Sequence, residues 1–185
     1  MHRIRRPVLL PALLPALLPA LLLGAAAAQA CGPRAEVQFA EGAPDCFTIV
    51  NRSPPGWHIE DVRIDLRGAL GGLYFDPTES GPGVSMADPL QPRGGGAVLA
   101  GASAVGDGDT GLLLRFDGFP AGARYAFTID VDDSGGGMLQ SVIEPGEFAG
   151  ASLAVRFAAG PDRAAGEARF DGSGRAETLD GSACS

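Results

Sequence analysis

Short apolar runs of period two, each cut off by glycine or proline, constrain this chain more than any other feature. Leu112, Leu114 and Phe116 alternate with Leu113 and Arg115, and Phe127, Ile129 and Val131 alternate with Ala126, Thr128 and Asp130. Val62, Ile64 and Leu66 alternate with Arg63, Asp65 and Arg67, and Leu153, Val155 and Phe157 with Ser152, Ala154 and Arg156. Successive side chains of a strand point to opposite faces, so each run reads as a strand with one buried and one wet face. Twenty-eight glycines and fifteen prolines punctuate the chain, and no long helical period follows residue 30. The pattern predicts an all-β fold, an antiparallel β-sandwich in a single domain. Cys46–Asn51, Gly72–Asp76, Val84–Met86, Val98–Val105 and Leu139–Ile143 are further strand candidates, with residues 87–96 as a loop. Glu167–Phe170 and Ala176–Leu179 read as a hairpin around Asp171–Gly174, or else as a mobile tail.

The first thirty residues read as a cleaved signal peptide. His2, Arg3, Arg5 and Arg6 give a basic start, Val8–Leu23 an apolar run, and Ala28-Gln29-Ala30 a cleavage site of small residues. A membrane-spanning helix would need about 20 apolar residues, but Pro11, Pro15 and Pro19 interrupt this run. The organisation expected is therefore signal peptide 1–30, sandwich domain 31–160, and C-terminal hairpin or flexible tail 161–185, in a secreted or periplasmic protein with no membrane span. The alternative is a lipoprotein anchored through Cys31. The exported part keeps eleven arginines against twenty-two acids, a net charge of −11. Such a chain repels nucleic acid and attracts cations. All fourteen basic residues are arginine, read as a bias toward GC-rich coding. Of the three cysteines, Cys46 can pair with Cys184 if Cys31 is lipidated, or with Cys31 if Cys184 is free. An oxidising compartment allows either disulfide.

The chemistry gathers in Asp107–Asp133. The connection Asp117–Gly122 holds two glycines and a proline, which suits a turn between two strands of one hairpin. A turn centred near Phe119 and Pro120 would set Asp109 across from Val131 and Asp107 across from Asp133. Leu112, Leu114, Phe116, Phe127, Ile129 and Val131 would then face the core. Calcium takes six to eight oxygen ligands, carboxylates and main-chain carbonyls among them. Asp107, Asp109, Asp130, Asp132 and Asp133 are its candidate ligands, although solvated strand ends of an acidic protein would look the same. The spacing is not that of an EF-hand loop.

Other constellations are weaker. His58 is the sole histidine after residue 30 and follows Trp57. It reads as a turn residue entering a strand, because one imidazole without fixed partners makes neither a zinc site nor a triad. No serine lies in a G-x-S-x-G elbow. Glu144 and Glu147 flank Pro145-Gly146 as a turn with solvated acids, where glycoside hydrolysis would need a cleft. Trp57, Tyr74 and Tyr125 are candidate platforms for stacking on a sugar. Gly94–Gly96 and Gly135–Gly137 lack the lysine of a phosphate loop.

Taken in order, Val37–Pro44, Phe47–Asn51, Ile64–Leu66, Leu73–Asp76, Gly106–Thr110, Phe127–Asp133 and Gly150-Ala151 resemble a group of secreted proteobacterial proteins termed aggregation factor core. The likeness spans roughly residues 36–158 and is most specific at Asp130-Val131-Asp132-Asp133 after the GDGDT segment. It departs at Cys46, where a basic residue is common. The resemblance implies an exported β-sandwich with a cell-surface or matrix adhesion role, and it supplies no catalytic residues to carry over. Its partner, a surface polysaccharide or a protein, is unknown. The expectation is a non-enzymatic adhesion protein stabilised by calcium. The alternatives are a secreted carbohydrate-binding module and an envelope hydrolase built on His58 or the Glu144/Glu147 pair.

Overall fold

Nearly every alternating run becomes a strand. The computed structural model describes residues 32–80, 88–135 and 142–178. The signal segment, Cys31, Cys184, the Val84–Met86 candidate and most of Leu139–Ile143 lie outside these residues. Among the described residues the strands are β1 (Ala35–Ala40), β2 (Cys46–Asn51), β3 (His58–Asp65), β4 (Tyr74–Phe75), β5 (Gln91–Gly95), β6 (Val98–Ala102), β7 (Gly111–Gly118), β8 (Arg124–Thr128), β9 (Val131–Asp132), β10 (Ser152–Ala159), β11 (Asp162–Arg169) and β12 (Arg175–Glu177). They form two antiparallel sheets, β12-β1-β2-β8-β5 and β11-β10-β3-β7-β6, with β4 and β9 as a separate ribbon. The fold is the expected all-β sandwich in one domain.

The core lies where the alternation puts it. Val62, Ile64 and Leu66, then Leu112, Leu114 and Phe116, and Leu153, Val155 and Phe157 are buried from one sheet. Val37, Phe39, Phe47, Ile49, Tyr125 and Phe127 are buried from the other. Ring contacts run through this layer, from Phe170 through Phe148, Phe39, Phe47, Phe127 and Tyr125 to Phe116 and Phe119. Phe47 and Phe127 stack at 5.1 Å, and Phe116 meets Tyr125 edge-on at 5.2 Å. Each such pair adds about 0.5–1.5 kcal/mol beyond the area it buries. Phe148 reaches the core from a short 3-10 turn, Pro145–Phe148.

The topology corrects the hairpin expected over Asp107–Asp133. β7 and β8 belong to opposite sheets: β7 pairs with β3 and β6, β8 with β2 and β5. The connection is an arch across the sandwich, not a turn within a sheet. Phe119 plugs it at 0 % exposure, and the buried Asn51 Nδ2 donates to Phe119 O at 2.8 Å. The same holds near the C-terminus. β11 pairs with β10 and β12 with β1, so Asp162–Glu177 supplies one strand to each sheet instead of a hairpin or tail. Residues 91–95, read as loop, form the exposed edge strand β5. Cys46 is a free thiol. Both disulfide pairings read from the sequence need Cys46; no disulfide occurs among the described residues, and Cys31 and Cys184 lie outside them. Its side chain faces outward on β2, next to Ala40 and Thr128 in the ladder.

Candidate metal centre

Among the described residues, one end of the sandwich collects residues 41–45, 66–80, 88–90, 103–110, 129–135, 142–151 and 170–174. These carry thirteen of the twenty-two acids and a single basic residue, Arg67. Arg67 is already engaged, its guanidinium bound to the Asp65 carboxylate at 2.5 Å. That pair holds Asp65 below the usual carboxylate range. The loops of the other end, 52–57, 96–97, 119–123 and 160–161, hold no acid. The molecule therefore has an acidic pole set by topology, because β1, β3, β8 and β11 all finish there.

Within the pole, β4 organises the site. Phe75 N donates to Asp109 O at 2.7 Å, Gly108 N donates to Phe75 O at 2.9 Å, and Asp76 N donates to Asp130 O at 3.1 Å. On its other side β4 pairs with β9, Tyr74 opposite Asp132 and Phe75 opposite Val131. β4 thus lies between the two acidic segments that the sequence reading laid directly against each other. The result is a cluster of three carboxylates, Asp76, Asp130 and Asp132, with one oxygen of each within 4.8 Å of the others. Asp76 and Asp132 are buried and Asp130 is half-buried.

The electrostatics of this cluster are one-sided. Burial pushes the Asp130 carboxyl up to about 7, helped by the like charges of Asp132, Asp45, Asp76 and Asp88. Asp45 is raised to about 7 as well, chiefly by burial, against hydrogen bonds from the backbone of Gly42 and Val131. Glu41 and Asp132 add to its rise. The charged neighbours with the largest effect on these two groups are carboxylates. Tyr74, half-buried beside them, has its hydroxyl raised by burial and then by Asp132, Asp76, Asp133 and Asp130. Like charges packed this way disfavour ionisation unless a cation balances them. The donors are all hard oxygens, with no imidazole or thiolate among them, which suits calcium or magnesium better than zinc.

Of the five residues singled out from sequence, Asp130 and Asp132 enter the cluster. Asp107 instead accepts from Thr78, its Oδ1 taking the backbone N–H at 2.9 Å and its Oδ2 the hydroxyl. Asp109 Oδ2 accepts from Gly106 N at 2.8 Å, closing its own turn, and Asp133 Oδ1 accepts from Gly135 N at 2.7 Å. Sequence reasoning missed Asp76 and Asp45. Each stands beside a short strand, Asp76 after the apolar Leu73-Tyr74-Phe75 and Asp45 before Cys46. An acid placed against an apolar strand is the signal that could have marked them.

The other candidate residues are placed elsewhere. His58 is exposed at the start of β3, opposite Ala158 and Pro120. Glu147 Oε2 accepts from Glu144 N at 2.8 Å, so this pair closes the turn before Phe148. Trp57 is half-buried against the core. Tyr125 is buried between the sheets, which removes it as a stacking platform. No protein family, curated protein or solved structure matches this chain.

Proposed function

We propose that this chain is an exported, non-enzymatic β-sandwich protein with a surface or matrix adhesion role, whose acidic pole binds calcium. The observation that carries the reading is the convergence of Asp76, Asp130 and Asp132 from two loops, with the like charges of Asp45 and Asp88 acting on Asp130 as well. Calcium bound there would be held by these three carboxylates, with Asp45 and main-chain carbonyls close by, and would remove the mutual repulsion. Export rests on the basic, apolar and small-residue order of residues 1–30. Adhesion rests on the resemblance to the aggregation factor core group. No helix among the described residues is long and apolar enough to cross a membrane.

The test is thermal unfolding of the full chain in excess calcium and then in chelator. A ligand at a hundred times its dissociation constant stabilises by about 2.7 kcal/mol, roughly 5–10 °C for a domain of this size. Superimposable melting curves would remove calcium from the account. A carbohydrate-binding reading draws on Tyr74, which sits half-buried beside the carboxylates, where a sugar ring could stack while its hydroxyls meet the ion. Calcium-dependent retention on a glycan array, lost in Tyr74→Ala, would favour it over adhesion to protein.

A further inference from the structure

Among the described residues the two large sheets have four edges, and an edge strand offers an open row of N–H and C=O groups to any strand that can lie beside it. Three of these edges are guarded. β5 contains Pro92, which has no donor, and Arg93. β11 carries Arg163, Glu167 and Arg169. β12 is three residues long, and Arg175 and Glu177 are two of them. The fourth edge, β6, reads VLAGA, and no charge or proline occurs anywhere from Gly94 to Gly106. Val98 is 59 % exposed, the one exposed large hydrophobic residue that lies in a described strand. The register shifts of β6 against β7 leave Ala100 outside that ladder. They add twist, but they place no charge on this edge.

We infer that a second copy of this chain docks here, its β6 antiparallel to the first about a two-fold axis near Ala100. The sheet β11-β10-β3-β7-β6 then continues into ten strands. An antiparallel pair of identical strands is self-complementary, which is what a closed two-fold interface needs. Ala100, Gly101 and Ala102 are small enough to let two backbones approach. Charge selects the orientation. A chain carrying −8 repels its copies, and β6 is an uncharged flank running from the acid-free end at Gly96-Ala97 to the acidic pole at Ser103–Thr110. Antiparallel pairing sets the two acidic poles at opposite ends of the dimer, while parallel pairing would bring them side by side. The product is a two-headed molecule with a cation-attracting pole at each end. This inference does not need the calcium reading, since β6 holds no carboxylate.

Sedimentation velocity on the full chain over a range of concentrations tests it, in calcium and in chelator alike. The expected result is twice the mass of a single chain in both buffers. Ala100→Lys and, separately, Ala102→Lys should halve that mass with the circular dichroism spectrum unchanged. Ala165→Lys on the β11 edge should leave the dimer intact. A single-chain mass for the unaltered protein at every concentration overturns the inference. So does a dimer that survives both β6 substitutions, or one that Ala165→Lys dissolves.

Discussion

At the scale of single residues, the proposed calcium site predicts opposite behaviour of the acidic pole with and without the cation. Asp130 and Asp45 titrate near 7 in the folded chain against an ordinary value of 3.8. Between those values the folded state holds protons that the unfolded state has lost, so without metal stability falls as pH rises. The melting midpoint in chelator should therefore climb as pH is lowered from 7 to 5. In saturating calcium the slope should reverse, because protons then compete with the ion. Below about pH 4 the lowered carboxyls, Asp65 under Arg67 and Asp171 under Ser173, begin to lose their contribution and end the clean window. Substitution separates cluster from surroundings. Asp130→Asn in chelator should raise the midpoint, on the order of 2–4 °C, by relieving repulsion. In calcium it should abolish most of the cation-induced shift. Asp107→Asn should leave that shift in place, since Asp107 caps Thr78 instead of facing the cluster. A loss of the shift in Asp107→Asn equal to that in Asp130→Asn would mean the ion sits elsewhere.

At the scale of elements, the strands and their inward faces were legible, and their partners were not. Period two marked β3, β7, β8 and β10 and named their buried residues, because alternation is a local consequence of the pleat. Pairing is not local. The six residues Asp117–Gly122 suit a hairpin or an arch equally, and the choice is made far away, by Asn51 holding Phe119 O and by β3 and β2 taking the flanks of β7 and β8. The site shared that fate. Asp130 and Asp132 could be named from sequence, but Asp76 arrives through β4, whose place between two acidic loops no local pattern records. β5 was missed because its Pro, Arg and glycines look like a loop and serve as an edge. Two predictions belong here. Phe119→Ala, emptying the arch, should cost about 3–5 kcal/mol in chemical denaturation. Gly150→Ala should also destabilise: Gly150 has φ +94, and an added Cβ would meet Gly68 O. A neutral result for Phe119→Ala would mean the arch is not packed as described.

At the scale of the whole molecule, charge is sorted along the strand axis. Thirteen acids and one arginine occupy one end, while the loops of the other end hold no acid, so a field of one sign concentrates cations at a single face. Salt should weaken that field, and calcium affinity should fall between 0.01 and 0.15 M salt as the Debye length shortens from about 30 to about 8 Å. If the chain pairs through β6, the poles face outward from both ends and calcium can act on two contacts at once. Calorimetric titration of calcium into the full chain tests the central claim most directly. The account predicts saturable heat that disappears in an Asp130→Asn, Asp132→Asn double variant whose circular dichroism is unchanged. No heat with the unaltered chain, or equal heat with the double variant, would contradict it.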